Sequence, residues 1–151
     1  MNVRAARADD LELVATILDE TGEWPRPFPR DELAERVDGE ELYVVDVDGE
    51  IAATFTVLWD DPSFWGERPP DAAYLHKLAV RPEFRGRGLG ARIVEWAERR
   101  AAEAGRAYLR LDCRHDKGSI RSYYERLGFE HRGDVDHPRF AAALYERPVR
   151  R

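Results

Sequence analysis

The chain has 151 residues, 43% hydrophobic and 36% charged, with a formal net charge of -6. That length suits one domain burying roughly two thirds of the surface an unfolded chain exposes, and the composition excludes disordered, collagen-like and low-complexity classes. No run approaches the roughly 18 apolar residues of a spanning helix, the first ten residues carry acids where a secretory leader is apolar, and the single Cys113 offers neither a disulfide nor a zinc spacing. We therefore expect a cytoplasmic protein with no structural metal and no membrane association.

Asp9 or Asp10 can cap a first helix in which Leu11, Val14, Ile17 and Leu18 recur at helical spacing, ending before Thr21-Gly22. The run Trp24-Pro25-Arg26-Pro27-Phe28-Pro29 interrupts the chain, and residues 31–37 suit a second short helix. Residues 41–47 and 51–59 flank Asp48-Gly49, the strongest hairpin signal in the sequence, so two antiparallel strands are expected. Residues 60–71, with Pro62, Gly66, Pro69 and Pro70, read as a loop whose large apolar residues are Phe64 and Trp65.

Residues 72–80 read as a strand. From Leu89 onward Ile93, Val94, Ala97, Ala101 and Ala104 make an amphipathic helix stopped by Gly105, and residues 107–113 read as the next strand. Strand, helix, strand implies a parallel pair with a right-handed crossover. A shorter helix spans about residues 119–127, ended by Gly128, and residues 140–149 form the last strand. The hairpin joined to this unit gives an α/β fold with a mixed sheet and helices on both faces.

Charge is unevenly spread. Residues 1–71 hold 19 acids against 6 arginines, whereas residues 81–110 hold 8 arginines against 4 glutamates. Such faces are commonly just solvated, but they also suit an anionic ligand at the basic segment and a cationic one near the acidic half. A nucleic-acid partner is not expected, because the arginines lack regular interleaved aromatics and the acidic half repels phosphate chains.

The segment Leu78-Ala79-Val80-Arg81-Pro82-Glu83-Phe84-Arg85-Gly86-Arg87-Gly88-Leu89-Gly90 leads from a strand end through a glycine-rich turn into a helix. Such a turn suits a phosphate: glycines let backbone N–H groups approach the ligand, and a helix start adds unpaired donors and partial positive charge. Glycines at 86, 88 and 90 match neither a Walker loop nor a dinucleotide fingerprint.

In the order of strand, this glycine loop, helix, strand, helix and Tyr124-Glu125-Arg126-Leu127-Gly128-Phe129, nearly the whole chain resembles the GCN5-related N-acetyltransferase (GNAT) family. The resemblance implies a single acetyltransferase domain over residues 1–151, with a mostly antiparallel mixed sheet around a central parallel strand pair. It also implies transfer of the acetyl group of acetyl-CoA to a primary amine by direct attack in a ternary complex. Arg85, Gly88 and Gly90 match the family's Arg/Gln-x-x-Gly-x-Gly/Ala loop, whose amides bind the cofactor pyrophosphate. Cofactor contacts are thus implied for Arg85, Gly86, Arg87, Gly88, Leu89 and Gly90, and for Ser119 and Tyr123. They are also implied for the backbone of Leu78, Ala79 and Val80, where the family's strand is bulged and pairs with the pantetheine arm.

The departing thiolate benefits from a proton, and Tyr124 matches the family's usual donor, with Tyr123 beside it. The attacking amine must be neutral, and the position where the family often places a glutamate base holds His76. A histidine can accept a proton at neutral pH. Asp112 or Cys113 is a candidate to orient the substrate. The acceptor we expect is a small cationic amine, a homodimer being left open. Two readings compete: a noncatalytic acyl-CoA-binding sensor, and a peptide amino-terminal acetyltransferase.

Overall fold

The computed structural model describes residues 1–150. In chain order it contains β1 (Asn2–Ala5), a 3-10 turn (Ala8–Asp10), α1 (Leu11–Thr21), α2 (Arg30–Asp38), β2 (Leu42–Val47) and β3 (Glu50–Leu58). Then follow α3 (Pro62–Trp65), β4 (Ala72–Val80), a 3-10 turn (Pro82–Phe84), α4 (Leu89–Glu103), β5 (Tyr108–Arg114), α5 (Gly118–Arg126), β6 (Glu130–Asp136) and β7 (Ala141–Pro148). The strands form one sheet in the order β1-β2-β3-β4-β5-β7-β6. Strands β4 and β5 are the parallel pair, with Ala72, Ala73 and Tyr74 in register with Tyr108, Leu109 and Arg110, while β1-β2, β2-β3, β5-β7 and β6-β7 run antiparallel. This is the mixed α/β sheet with helices around it that the sequence implies.

Three elements differ from the expectation. A strand precedes the first helix, residues 62–65 form a short helix inside the expected loop, and β6 lies between α5 and the last strand.

By contact density the chain divides into two units, residues 1–57 with 77–92, and residues 58–76 with those from 93 onward. In the first unit Val14, Ala15, Ile17 and Leu18 of α1 pack with Phe28, Leu33 of α2, and Leu42 and Val44 of β2. Asp10 does not cap α1 with its side chain. Its carboxylate instead accepts two bonds from the Arg4 guanidinium, at 2.8 and 3.0 Å, and one from the Arg7 N–H at 2.7 Å. The Arg4 bonds hold the Asp10 carboxyl below its ordinary range. The expected hairpin closes through Asp48 and Gly49, both in left-handed backbone at φ 54 and 85.

The second unit buries charge as well as apolar surface. Arg110 donates Nε–H to Glu146 Oε1 at 2.8 Å and an Nη1–H to Tyr74 Oη at 2.9 Å. Arg147 of β7 donates to Glu98 Oε2 of α4 at 3.2 and 3.0 Å, and to the Leu127 carbonyl at 2.7 Å. These aligned bonds offset the desolvation of the ions they join. Among the described residues no helix is long and apolar enough to cross a membrane.

Glu98→Ala leaves the buried Arg147 guanidinium without its carboxylate, which costs about 3–5 kcal/mol. The expected outcome is a lowered urea midpoint with an unchanged slope. A midpoint equal to that of the parent would refute a stabilising role for this pair.

Candidate active site

In the first unit, β4 leads into the glycine loop. Its backbone is interrupted at Lys77, which adopts φ 51 one residue before Leu78. That residue directly precedes Leu78, Ala79 and Val80, the segment for which the resemblance implies a bulge. The Lys77 side chain is held by Glu32 at 3.4 Å and lies 6.0 Å from the Phe28 ring centroid. Ala79 packs into the α1-α2 core, and Val80 joins Ala52, Phe84 and Leu89 in a smaller apolar cluster.

Leu89 and Phe84 are buried anchors on either side of an exposed turn, Arg85 to Gly88. Gly86 and Gly88 sit at φ 78 and 75, where an L side chain is strained, and a Cβ at either would meet no atom within 4 Å. The Gly88 carbonyl accepts the Arg92 N–H at 3.2 Å and so opens α4. First-turn N–H groups of a helix have no carbonyl of their own to bond, and they carry the positive end of its dipole. The exposed Arg85 and Arg87 fold back on the loop, donating to the Val80 carbonyl at 3.3 Å and the Glu83 carbonyl at 3.4 Å. The turn thus presents the fixed donors and positive charge that a pyrophosphate needs.

In the second unit, His76 of β4 lies between two carboxylates. Its Nε2 is 3.0 Å from Asp61 Oδ2 and its Nδ1 is 3.7 Å from Asp112 Oδ1. Sequence reasoning proposed His76 and considered Asp112, but missed Asp61. The only local signal was Asp61 directly preceding Pro62 at a helix start. The donor atoms of the trio lie within 4.8 Å of one another, compact enough to consider a metal ion. The carboxylates, however, approach different ring nitrogens.

Tyr123 and Tyr124 are half-buried on α5, edge to face at 5.5 Å, and Tyr124 also packs edge to face against Phe129 at 5.7 Å. The helix is fixed by the buried Tyr145 hydroxyl, which accepts from Arg121 Nε at 3.0 Å and donates to Glu125 Oε2 at 2.8 Å. Burial pushes the Tyr123 phenol above its ordinary pKa, so it stays protonated at neutral pH. Ser119 is exposed in the first turn of α5, and Cys113 is buried in β5.

A serine–histidine contact near Phe64 is not a nucleophile. Ser63 Oγ lies 2.8 Å from His137 Nε2, but His137 Nδ1 accepts the Arg139 N–H at 3.1 Å. The neutral ring therefore carries its proton on Nε2 and donates it to the serine, leaving nothing to activate the hydroxyl.

Comparison with known proteins decides the family. The sequence model of the Acetyltransferase (GNAT) family matches residues 11–129. The chain belongs to that family. It is 30% identical over 142 aligned positions, covering 83% of this chain and 79% of the relative, to the uncharacterized N-acetyltransferase YesJ of Bacillus subtilis. A GNAT acetyltransferase from Listeria monocytogenes superposes with a TM-score of 0.78 at 23% identity, over 98% of this chain and 94% of that one. An aminoglycoside acetyltransferase in complex with coenzyme A does so at 0.79 and 18% identity, over 97% and 94%. Family membership makes this GNAT protein an acetyl-CoA-dependent N-acetyltransferase.

Gly88→Ala should cut acetyl-CoA affinity in calorimetry by about tenfold or more, because the left-handed backbone costs an L residue about 1–2 kcal/mol and the loop relaxes away from its donor geometry. Gly105→Ala, at φ 74 beyond the far end of α4 and also in open space, is the control. It carries the same backbone penalty and should keep the affinity. Equal losses in both would show a general loosening rather than a cofactor loop.

Proposed function

We propose that residues 1–151 act as a single acetyltransferase domain, with the pyrophosphate of acetyl-CoA on the backbone of residues 85–90. Ser119 and Tyr123 are further cofactor contacts, and the pantetheine arm runs along Leu78, Ala79 and Val80. The observation that carries this reading is the exposed turn from Arg85 to Gly88, held between buried anchors and opening α4. Exposed main-chain donors held rigidly at a helix start bind anions without an entropy cost for ordering a loop.

In this reading the acceptor amine attacks the thioester directly. An amide donor near Leu78 receives the charge that develops on the carbonyl oxygen. His76 takes the proton that the ammonium must lose, and Tyr124 gives one to the sulfur as the thiolate leaves. A sensor that only binds acyl-CoA has no need of either group. The acceptor is a small cationic amine: residues 1–71 carry a net charge of -13, from 19 acids and 6 arginines, which draws cations toward the protein.

Tyr124→Phe removes only the hydroxyl, so acetyl-CoA affinity should persist while kcat falls by about 10²-fold. Release of free thiol reads the rate. A loss in Tyr123→Phe with none in Tyr124→Phe would move the acid to the neighbouring ring. Acceptor charge is tested separately with cationic, neutral and anionic amines of equal size. Added salt should raise KM for the cations alone, and equal KM values across charges would reject the preference.

A further inference from the structure

The three side chains around His76 are almost removed from water. His76 is 12% exposed, and Asp61 and Asp112 are each 7% exposed. Carboxylates beside a histidine at a surface are a solvated patch of little energetic weight. Buried ones must be matched by donors or by a cation. Asp61 Oδ2 and His76 Nε2 lie 3.0 Å apart, yet neither atom has an aligned hydrogen bond, so their contact is one of distance and charge that a ring rotation converts into a bond.

The difference between 3.0 and 3.7 Å assigns the roles. Once the ring turns onto Asp61, the anionic oxygen 3.0 Å away favours the tautomer with the proton on Nε2, as carboxylates do beside catalytic histidines. The lone pair is then on Nδ1, the nitrogen facing Asp112. A gap of 3.7 Å is too long for a direct hydrogen bond. One ammonium nitrogen can span such a gap by donating to both atoms, since two charge-assisted bonds of about 2.8 Å enclose an angle of about 80° across it. Phe64, stacked on His137 at 4.0 Å, stands tilted beside the imidazole with ring centroids 6.4 Å apart.

We propose that Asp61 positions His76 by accepting its Nε2–H, and that His76 Nδ1 and Asp112 Oδ1 together receive the primary ammonium of the acceptor. This rests on the reading of His76 as the base and names how the chain serves it. The ammonium gives one proton to Nδ1, making an imidazolium whose Nε2–H faces Asp61, and the neutral amine keeps an N–H on Asp112. Its lone pair forms the C–N bond as the C–S bond breaks. The second nitrogen proton balances the one that Tyr124 delivers to sulfur, so amide and free thiol leave and the proton on His76 returns to solvent. Asp61 is a positioning residue in this scheme and Asp112 a binding one.

The protein alone tests the first half. Nitrogen resonances of the His76 ring, assigned by their loss in His76→Gln, should report the Nε2–H tautomer in the parent. Asp61→Asn should give a mixture of tautomers, and Asp61→Glu should restore the single form. Titration with n-butylammonium chloride should shift Nδ1 in the parent and not in Asp112→Asn. With the primary amine that releases thiol fastest from the parent, Asp112→Asn should raise the amine KM about tenfold or more. Asp61→Asn should lower kcat, with the acetyl-CoA KM unchanged in both. An Nδ1–H tautomer in the parent, or kinetics in either variant equal to the parent's, would overturn the proposal. So would thermal stabilisation by Zn²⁺ or Mn²⁺ that disappears in Asp61→Asn, because the trio is then a metal site. If no primary amine releases thiol from the parent, the base reading of His76 fails, while the tautomer measurement still decides what Asp61 does.

Discussion

The constraint on which the candidate site depends is a change of backbone conformation inside one strand. Lys77 sits in left-handed backbone within β4, at the point where the chain passes from one compact unit to the other. A lysine held at positive φ costs about 1–3 kcal/mol and persists only where its surroundings over-determine it. On one side the restraint comes from Glu32 and the Phe28 ring around Lys77 itself. On the other it comes from the carboxylates flanking His76. The interruption means that His76 and Leu78 need not obey the alternation of a regular strand.

Buried charge in the second unit falls into two kinds, and the contrast separates structure from chemistry. Arg110 with Glu146, and Arg147 with Glu98, meet through aligned donors of a guanidinium fork at 2.8 to 3.2 Å. Such pairs fix which elements pack together and leave no charge for a ligand. The His76 trio is as buried but has a contact at ion-pair distance without alignment, and a second one at 3.7 Å. Proteins normally satisfy buried polar groups fully, and the unaligned contact of Asp61 with His76 is what motivates the proposed role of His76.

Much of this was legible in the sequence because the relevant signals are local. The helix periodicity of α1 and α4, the Asp48-Gly49 turn and the glycines at 86 and 88 each depend on a few neighbouring residues. The elements that escaped notice lack such a signal. Strand β6, Glu-His-Arg-Gly-Asp-Val-Asp, is an edge strand with both faces mostly wet, so it shows no alternation of apolar and polar residues. Strand β1 is four residues long, and α3 is a single turn begun by Pro62 within a proline-rich stretch. Asp61 was invisible as a partner of His76 for a different reason. The contact spans 15 positions of sequence and exists only once residues 58–76 fold back on themselves, which no spacing rule encodes.

The uneven charge of the chain acts on two length scales that should not be merged. Most of the acids in residues 1–71 are exposed, and at physiological salt their field decays over about 8 Å. Such charges raise the local concentration of any cation and speed its arrival, but they discriminate poorly among amines once contact is made. Solvent-accessible ion pairs such as Glu12 with Arg30 contribute still less. Asp61 and Asp112 are two carboxylates among 30 acids, yet they act where water is excluded and the effective dielectric is several-fold lower. On the proposed scheme, discrimination between a primary ammonium and a bulkier or neutral group falls to that pair, and the exposed acids act on the rate of encounter.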